Sequence, residues 1–198
     1  GEPSAALPGT SPLVACVVGG GQDGYRLAAT FLQAQMPADH QGIVVTGPCM
    51  NRCEVSQLRG MASDVGRQQV VEFASNADAI IRRAKRVVGM GGYNTIGAVL
   101  GYDKPALIVP RIHPRREQYI RAQRLHRRGL IEMLHPDELS PEALTHWLQS
   151  DVALRDQLRG LDFTGLKRIP GLLAELLGRP RRAGEPSTLT ATRQHVGT

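Results

Sequence analysis

The sequence predicts an α/β fold, a parallel six-stranded sheet with helices on both faces. Short runs of β-branched and apolar residues recur along the chain without polar alternation, as in strands buried on both sides. Each is followed by a segment with helical spacing, and strand–helix alternation at this interval implies right-handed crossovers in one sheet. Two of the strands also end in glycine-rich turns that lead straight into helices.

Residues 13–18 (LVACVV) form the first strand, and 25–35 (YRLAATFLQAQ) a helix closed by Pro37. The segment 42–47 (GIVVTG) is the second strand and 51–62 a helix. A third strand spans 69–73, and the helix after it runs from about Asn76 to Ala84 with Ser75 or Asn76 as N-cap. The stretch 86–134 supplies the rest of the sheet: strands at 86–89, 106–109 and 130–134, a helix opening at Tyr93-Asn94-Thr95, a basic loop, and a long helix at 117–128. On that last helix Arg121, Arg124, Arg127 and Arg128 are assigned outward, and Ile120 and Leu125 inward. Ser140 caps a helix that reaches about Gln149, with Pro141 at its first position, and further helices are expected at 152–159 and 165–177. The whole is Rossmann-like, and no internal repeat is visible.

The chain has 198 residues, enough for one domain with a proper core. Residues 1–12 read as a linker or cut end, 13–178 as the domain, and 179–198 as a polar, basic, disordered tail. Without an initiator methionine, a piece of a longer protein is expected. No apolar run approaches the roughly 20 residues needed to span a bilayer, and no signal peptide opens the chain. Cys16, Cys49 and Cys53, odd in number within an α/β pattern, argue for reduced thiols in the cytoplasm, as small buried residues rather than metal ligands. A formal charge of +6 favours anionic partners, but aromatic residues are only 4%, which leaves few surfaces for stacking bases and ranks nucleic acid last.

A strand that turns through glycines into a helix exposes unpaired N–H groups at the positive end of the helix dipole, an anion site. The first such turn contains Gly20, Gly21, Gln22, Asp23 and Gly24; its glycines admit a close ligand, and Gln22 and Asp23 cap the helix or reach ligand hydroxyls. It lacks the spacing of the dinucleotide fingerprint. The second contains Gly92, Tyr93, Asn94 and Thr95, which add an amide and a hydroxyl at the helix start. In an open parallel sheet both turns lie at the carboxyl ends of strands and can face one cleft. The loop Arg111-Ile-His113-Pro-Arg115-Arg116 is the densest charge cluster near that cleft, with Arg116 favoured as a phosphate or sugar contact and His113 a bystander. Trp147 reads as a packing residue.

The run MGGYNT at 90–95, followed by VPR-x-x-PR-x-EQ at 109–118, resembles the C-terminal, donor-binding half of GT-B glycosyltransferases, especially glycosyltransferase family 28. The turn 92–95 is also similar to the G-W-N-S turn of the plant secondary-product glucosyltransferase box. The similarity covers about 13–177. It implies that the turns at 20–22 and 92–95 hold the diphosphate of a nucleotide-sugar donor, a UDP-sugar in the first place. It also implies that Phe73 lies by the base and that Glu117 and Gln118 hydrogen-bond the sugar hydroxyls. No metal or other cofactor is expected, since helix dipoles and arginines can offset the leaving diphosphate.

The same resemblance implies transfer of a hexose or N-acetylhexosamine to an acceptor held by a missing N-terminal domain or partner subunit. A membrane surface or lipid-linked acceptor is a candidate partner, and a peripheral position at the inner membrane face goes with it. The catalytic base belongs to the missing half, so no catalytic residue is assigned. Two positions depart from the pattern. The glutamate expected four residues after the asparagine, a ribose ligand in the family, is Ala98, and the plant-box histidine is Met90. A methyl group accepts no hydroxyl hydrogen bond, so ribose recognition must weaken or move. The alternative reading is a non-catalytic nucleotide-binding or partner module with the same fold; an epimerase reading finds no acid–base set.

Overall fold

The computed structural model describes residues 11–20, 22–72, 77–151 and 164–178. The chain divides into two compact units, Gly1–Leu158 and Arg159–Thr198. In the larger unit the elements alternate: β1 (Leu13–Val17), α1 (Tyr25–Gln33), β2 (Gln41–Val45), α2 (Arg52–Val65), β3 (Gln68–Val71), α3 (Ala77–Arg83), β4 (Arg86–Gly89), α4 (Tyr93–Gly101), β5 (Ala106–Ile108), α5 (Glu117–Arg127), β6 (Glu132–Met133) and α6 (Pro141–Gln149). In the smaller unit, α7 (Gly165–Leu176) carries Pro170 within it. The helix expected at 152–159, the N-cap expected at Ser75 or Asn76, and the tail from 179 onward lie outside the described residues.

All strand pairs are parallel and the order is β3-β2-β1-β4-β5-β6. The chain builds outward from β1 to β3, returns to the centre at β4 and builds the other way. The order therefore reverses between β1 and β4, which is where a ligand crevice opens in such sheets. Register puts Val17 of β1 opposite Gly89 of β4, and Gly89 opposite Ile108 of β5, so three strand tips end level at that point.

The continuous apolar runs reflect burial on both faces. Val14, Cys16, Val44 and Val88 point to one side, packed with Leu27 and Phe31 of α1, Leu58 of α2 and Leu144 and Leu148 of α6. Leu13, Ala15, Val17, Ile43, Val87 and Ile108 point to the other, against Ile80 and Ile81 of α3, Ile96 and Val99 of α4, and Ala122 of α5. This alternation along a strand follows from its two-residue period. Trp147 is buried in the first cluster, as expected of a packing residue. The Arg86 guanidinium lies 5.5 Å from its ring centroid and donates to its carbonyl at 2.7 Å, pinning α6 beneath the amino end of β4.

Two expectations change. Of the cysteines only Cys16 is buried; Cys49 lies in the turn before α2 and Cys53 in its first helical turn, both exposed and free. Their neighbours turn other residues, Met50 and Val55, into the core instead. The phase of α5 also differs, because its one fully buried residue is the small Ala122 rather than Ile120. Ile120 is 45% exposed, and Arg121 is turned halfway inward.

Candidate functional site

The β1–α1 turn and the β4–α4 turn stand side by side at the point of reversal because β1 and β4 are hydrogen-bonded neighbours with level tips. Gly20, Gln22 and Asp23 are exposed in the first turn; Gly21 lies outside the described residues. In the second, Gly92 is half-buried, Tyr93 and Asn94 are exposed, and Thr95 is buried. A Cβ added at Gly19, Gly20 or Gly92 would meet no atom within 4 Å among the described residues, so the space beside both turns is open to a ligand.

The shape of the turns is enforced from behind. Gly47, in the β2–α2 loop, presses on the first turn so closely that a Cβ there would stand 2.0 Å from the Gly19 carbonyl oxygen. Two residues on, the Cys49 N–H donates to the Gly20 carbonyl at 2.9 Å and fixes its direction. In the second turn Gly91 has φ +83°, a left-handed conformation that favours glycine, with Ile108 beneath it.

Helix capping separates the site from the rest of the edge. α2 closes its own first turn with a capping box, Asn51 accepting from the Cys53 N–H and Glu54 from the Asn51 N–H, and Ser140 caps α6. No side chain caps α1, α4 or α5, whose N-caps are Gly24, Gly92 and Arg116. These three helices follow β1, β4 and β5, the adjacent strands with level tips. The turns that lead into α1 and α4 therefore lie side by side, with the start of α5 joined to the first through Arg111 and close behind Gly91 of the second, an arrangement suited to an anion carrying more than one charge.

Asp23 does not cap α1. Its Oδ2 accepts from Arg111 Nη1 at 2.9 Å, while Arg111 Nη2 donates to Glu117 Oε1 at 3.1 Å. The Arg111 backbone N–H also donates to Gln118 Oε1 at 3.3 Å. The hydrogen bonds that Arg111 donates, first to Asp23 and then to Glu117, hold its guanidinium above its ordinary pKa. Glu117 is held below the usual carboxylate range by a hydrogen bond from its own backbone N–H at the helix start and, further, by Arg111.

Arg121 of α5 was missed as a site residue. It donates to the Gly91 carbonyl at 2.8 Å and lies 5.8 Å from the Tyr93 ring centroid, so α5 braces the second turn as well. A long guanidinium at the border of the buried stripe reads as surface in a helical wheel, and only the buried carbonyl reveals its direction. Arg116 is exposed, 5.5 Å from the Tyr119 ring centroid. Ala98 packs half-buried against the second core cluster and Met90 against the first. Phe73 lies outside the described residues. Among those residues no group of three or more His, Cys, Asp or Glu is placed to hold a metal. A separate groove of about 610 Å³, at the opposite, amino edge of the sheet by Leu32, Met36, Met61 and Gln68, contains none of the site residues.

The family model for the glycosyltransferase family 28 C-terminal domain matches residues 14–159. The UDP-N-acetylglucosamine--N-acetylmuramyl-(pentapeptide) pyrophosphoryl-undecaprenol N-acetylglucosamine transferase of Yersinia pseudotuberculosis is 30% identical over 153 residues, 74% of this chain and 41% of that protein. The chain spans less than half the length of the curated relatives it matches. Among solved structures, MurG of Acinetobacter baumannii superposes with a TM-score of 0.69 at 17% identity, over 85% of this chain and 51% of its own. Glycosyltransferase VinC in complex with dTDP gives 0.63 at 20% identity, over 89% and 45%. These likenesses place the fold as one half of the GT-B architecture. The match over most of its length shows that the chain belongs to the glycosyltransferase family 28 C-terminal domain family.

Proposed function

We propose that this chain is the donor-binding half of a glycosyltransferase and binds a nucleoside diphosphate sugar, a UDP-sugar first, by its diphosphate. The single observation that carries the reading is the pair of uncapped helices, α1 and α4, entered from the neighbouring tips of β1 and β4 where the strand order reverses. Amides at Gly20 to Gly24 and Gly92 to Thr95 take the diphosphate, Arg116 adds a cation, and Glu117 and Gln118 receive the sugar hydroxyls. Phe73 is the residue assigned to the base.

Transfer of a hexose or N-acetylhexosamine then leaves a nucleoside diphosphate whose growing charge is met by helix dipoles and arginines without a metal ion. The acceptor and the base that activates it belong to an N-terminal domain or partner subunit. The relative named above acts on an undecaprenol-linked substrate, which makes a lipid-linked acceptor the leading candidate and a cytoplasmic, membrane-peripheral setting the matching one. No described helix is long and apolar enough to cross a membrane. Nucleic acid is not proposed as a partner.

Isothermal titration of the chain with uridine, guanosine and thymidine diphosphates tests the reading. Saturable binding of UDP, with no sugar transfer by the chain alone, is expected. Absence of binding to all three at millimolar concentration overturns it. Ala98 favours a second reading, a non-catalytic nucleotide-binding module, since that helix position offers no acceptor to a ribose. It predicts UDP binding but no transfer even when the acceptor-binding half is supplied.

A further inference from the structure

We propose that Arg111 is a positioning residue, which sets both sugar-recognising side chains and ties them to the first phosphate turn. The proposal rests on the donor-binding reading above and adds a specificity element to it. One residue holds both candidates: its guanidinium pairs with Glu117 at 3.1 Å and its backbone N–H donates to Gln118 Oε1 at 3.3 Å. The second arm of the fork reaches Asp23 at 2.9 Å, 88 positions away in sequence and on the turn that leads from β1 to α1.

Arg111 is built in rather than draped over the surface. It stands three residues beyond β5, and the Val109 N–H between them donates to the Gly89 carbonyl at 2.8 Å, so the segment that carries Arg111 is anchored to the neighbouring strand tip. Its side chain is 25% exposed and its Nε is buried without a hydrogen-bond partner among the described residues. Such an orphaned donor is costly and is tolerated where the other two nitrogens are firmly held. The partners are about half exposed, 46% for Asp23 and 47% for Glu117, so their carboxylates still face solvent. A carboxylate has about four acceptor sites, which leaves Glu117 free to receive hydroxyl donors while Arg111 fixes its rotamer.

The planar fork is needed for this. A lysine is a point charge, which can satisfy one carboxylate well but does not hold two in a fixed relation. Arg111 therefore acts on the sugar through Glu117 and Gln118, without touching the diphosphate.

The test is isothermal titration of the full 198-residue chain with UDP and with UDP-N-acetylglucosamine, for wild type, Arg111→Gln, Arg111→Lys and Glu117→Gln. The readout is the ratio of the two dissociation constants, UDP-N-acetylglucosamine over UDP. Arg111→Gln is expected to raise that ratio about tenfold, the loss of about 1.4 kcal/mol from one charge-assisted contact, with UDP itself changed less than about threefold. Retained UDP binding also reports that the variant is folded. Arg111→Lys should fall between wild type and Arg111→Gln, and Arg111→Gln/Glu117→Gln should be no worse than Glu117→Gln, since the Arg111 side chain acts through the Glu117 carboxylate while its hold on Gln118 runs through the backbone N–H that every variant keeps. An unchanged ratio in Arg111→Gln, or equal weakening of both ligands, overturns the positioning role while leaving donor binding intact. Failure of the wild type to bind UDP overturns the donor-binding reading, and the proposal with it.

Discussion

Glu117 is kept ionised by two neighbours, its own backbone N–H in the first turn of α5 and the Arg111 guanidinium. Because its pKa is lowered on folding, the stabilisation from these contacts is complete above the ordinary glutamate range and is lost as pH falls through the lowered value. Affinity for UDP-N-acetylglucosamine should thus stay level as pH is brought from neutral into the ordinary glutamate range and decline only below it. Titrations at a series of pH values check this, with Glu117→Gln as the flat control. Gly47 sets a second constraint of the same scale. Gly47→Ala puts a methyl group 2.0 Å from the Gly19 carbonyl, between two backbone segments that cannot yield as a side chain would. A loss of about 1–3 kcal/mol of stability is expected by urea unfolding, with weaker UDP binding because the first turn must move.

At the scale of elements, the helices of the larger unit differ in what completes their first turns. α2 is closed by Asn51 and Glu54, and Asn51→Ala should cost about 1 kcal/mol in urea unfolding while leaving UDP affinity unchanged. A fall in UDP affinity would mean that α2 is part of the site. α1 and α4 lack such caps and are held by their buried faces, Leu27, Ala28, Phe31 and Leu32 in one and Thr95, Ile96 and Val99 in the other. Packing thus secures these helices while their amino ends remain available to a ligand. α5 plays a different part: through Arg121 it holds the Gly91 carbonyl, and the loop that leads into it holds Asp23. The segment after β5 consequently contacts both glycine turns, the first at the Asp23 side chain and the second at the Gly91 carbonyl.

At the scale of the molecule, the central sheet stands between two apolar layers, and Phe31 is fully buried in one of them. Phe31→Ala should cost about 3–5 kcal/mol, a large share of the roughly 5–15 kcal/mol that stabilises a typical domain. Urea unfolding followed by circular dichroism measures it. The strand order β3-β2-β1-β4-β5-β6 places the whole site on one edge, and the groove by Gln68 lies on the other. The carboxyl edge of the sheet therefore carries both glycine turns together with the Arg111 cluster.

The strands of this fold are legible in the sequence because a parallel strand buried on both faces must be apolar throughout, as 13–18 is, and helices declare themselves by caps such as Asn51 and Ser140. The two glycine turns are legible for the same local reason. Short β6 spans only Glu132–Met133 of the predicted 130–134, the two residues that pair with β5. Tertiary structure alone decides that β1 and β4 are neighbours, that Arg121 turns inward while Ile120 faces solvent, and that Arg111 meets Asp23 across 88 positions. Local periods of two and 3.6 residues determine which segments become strands and helices. The pairing of distant groups depends on burial and charge in the assembled fold, which no window of sequence contains.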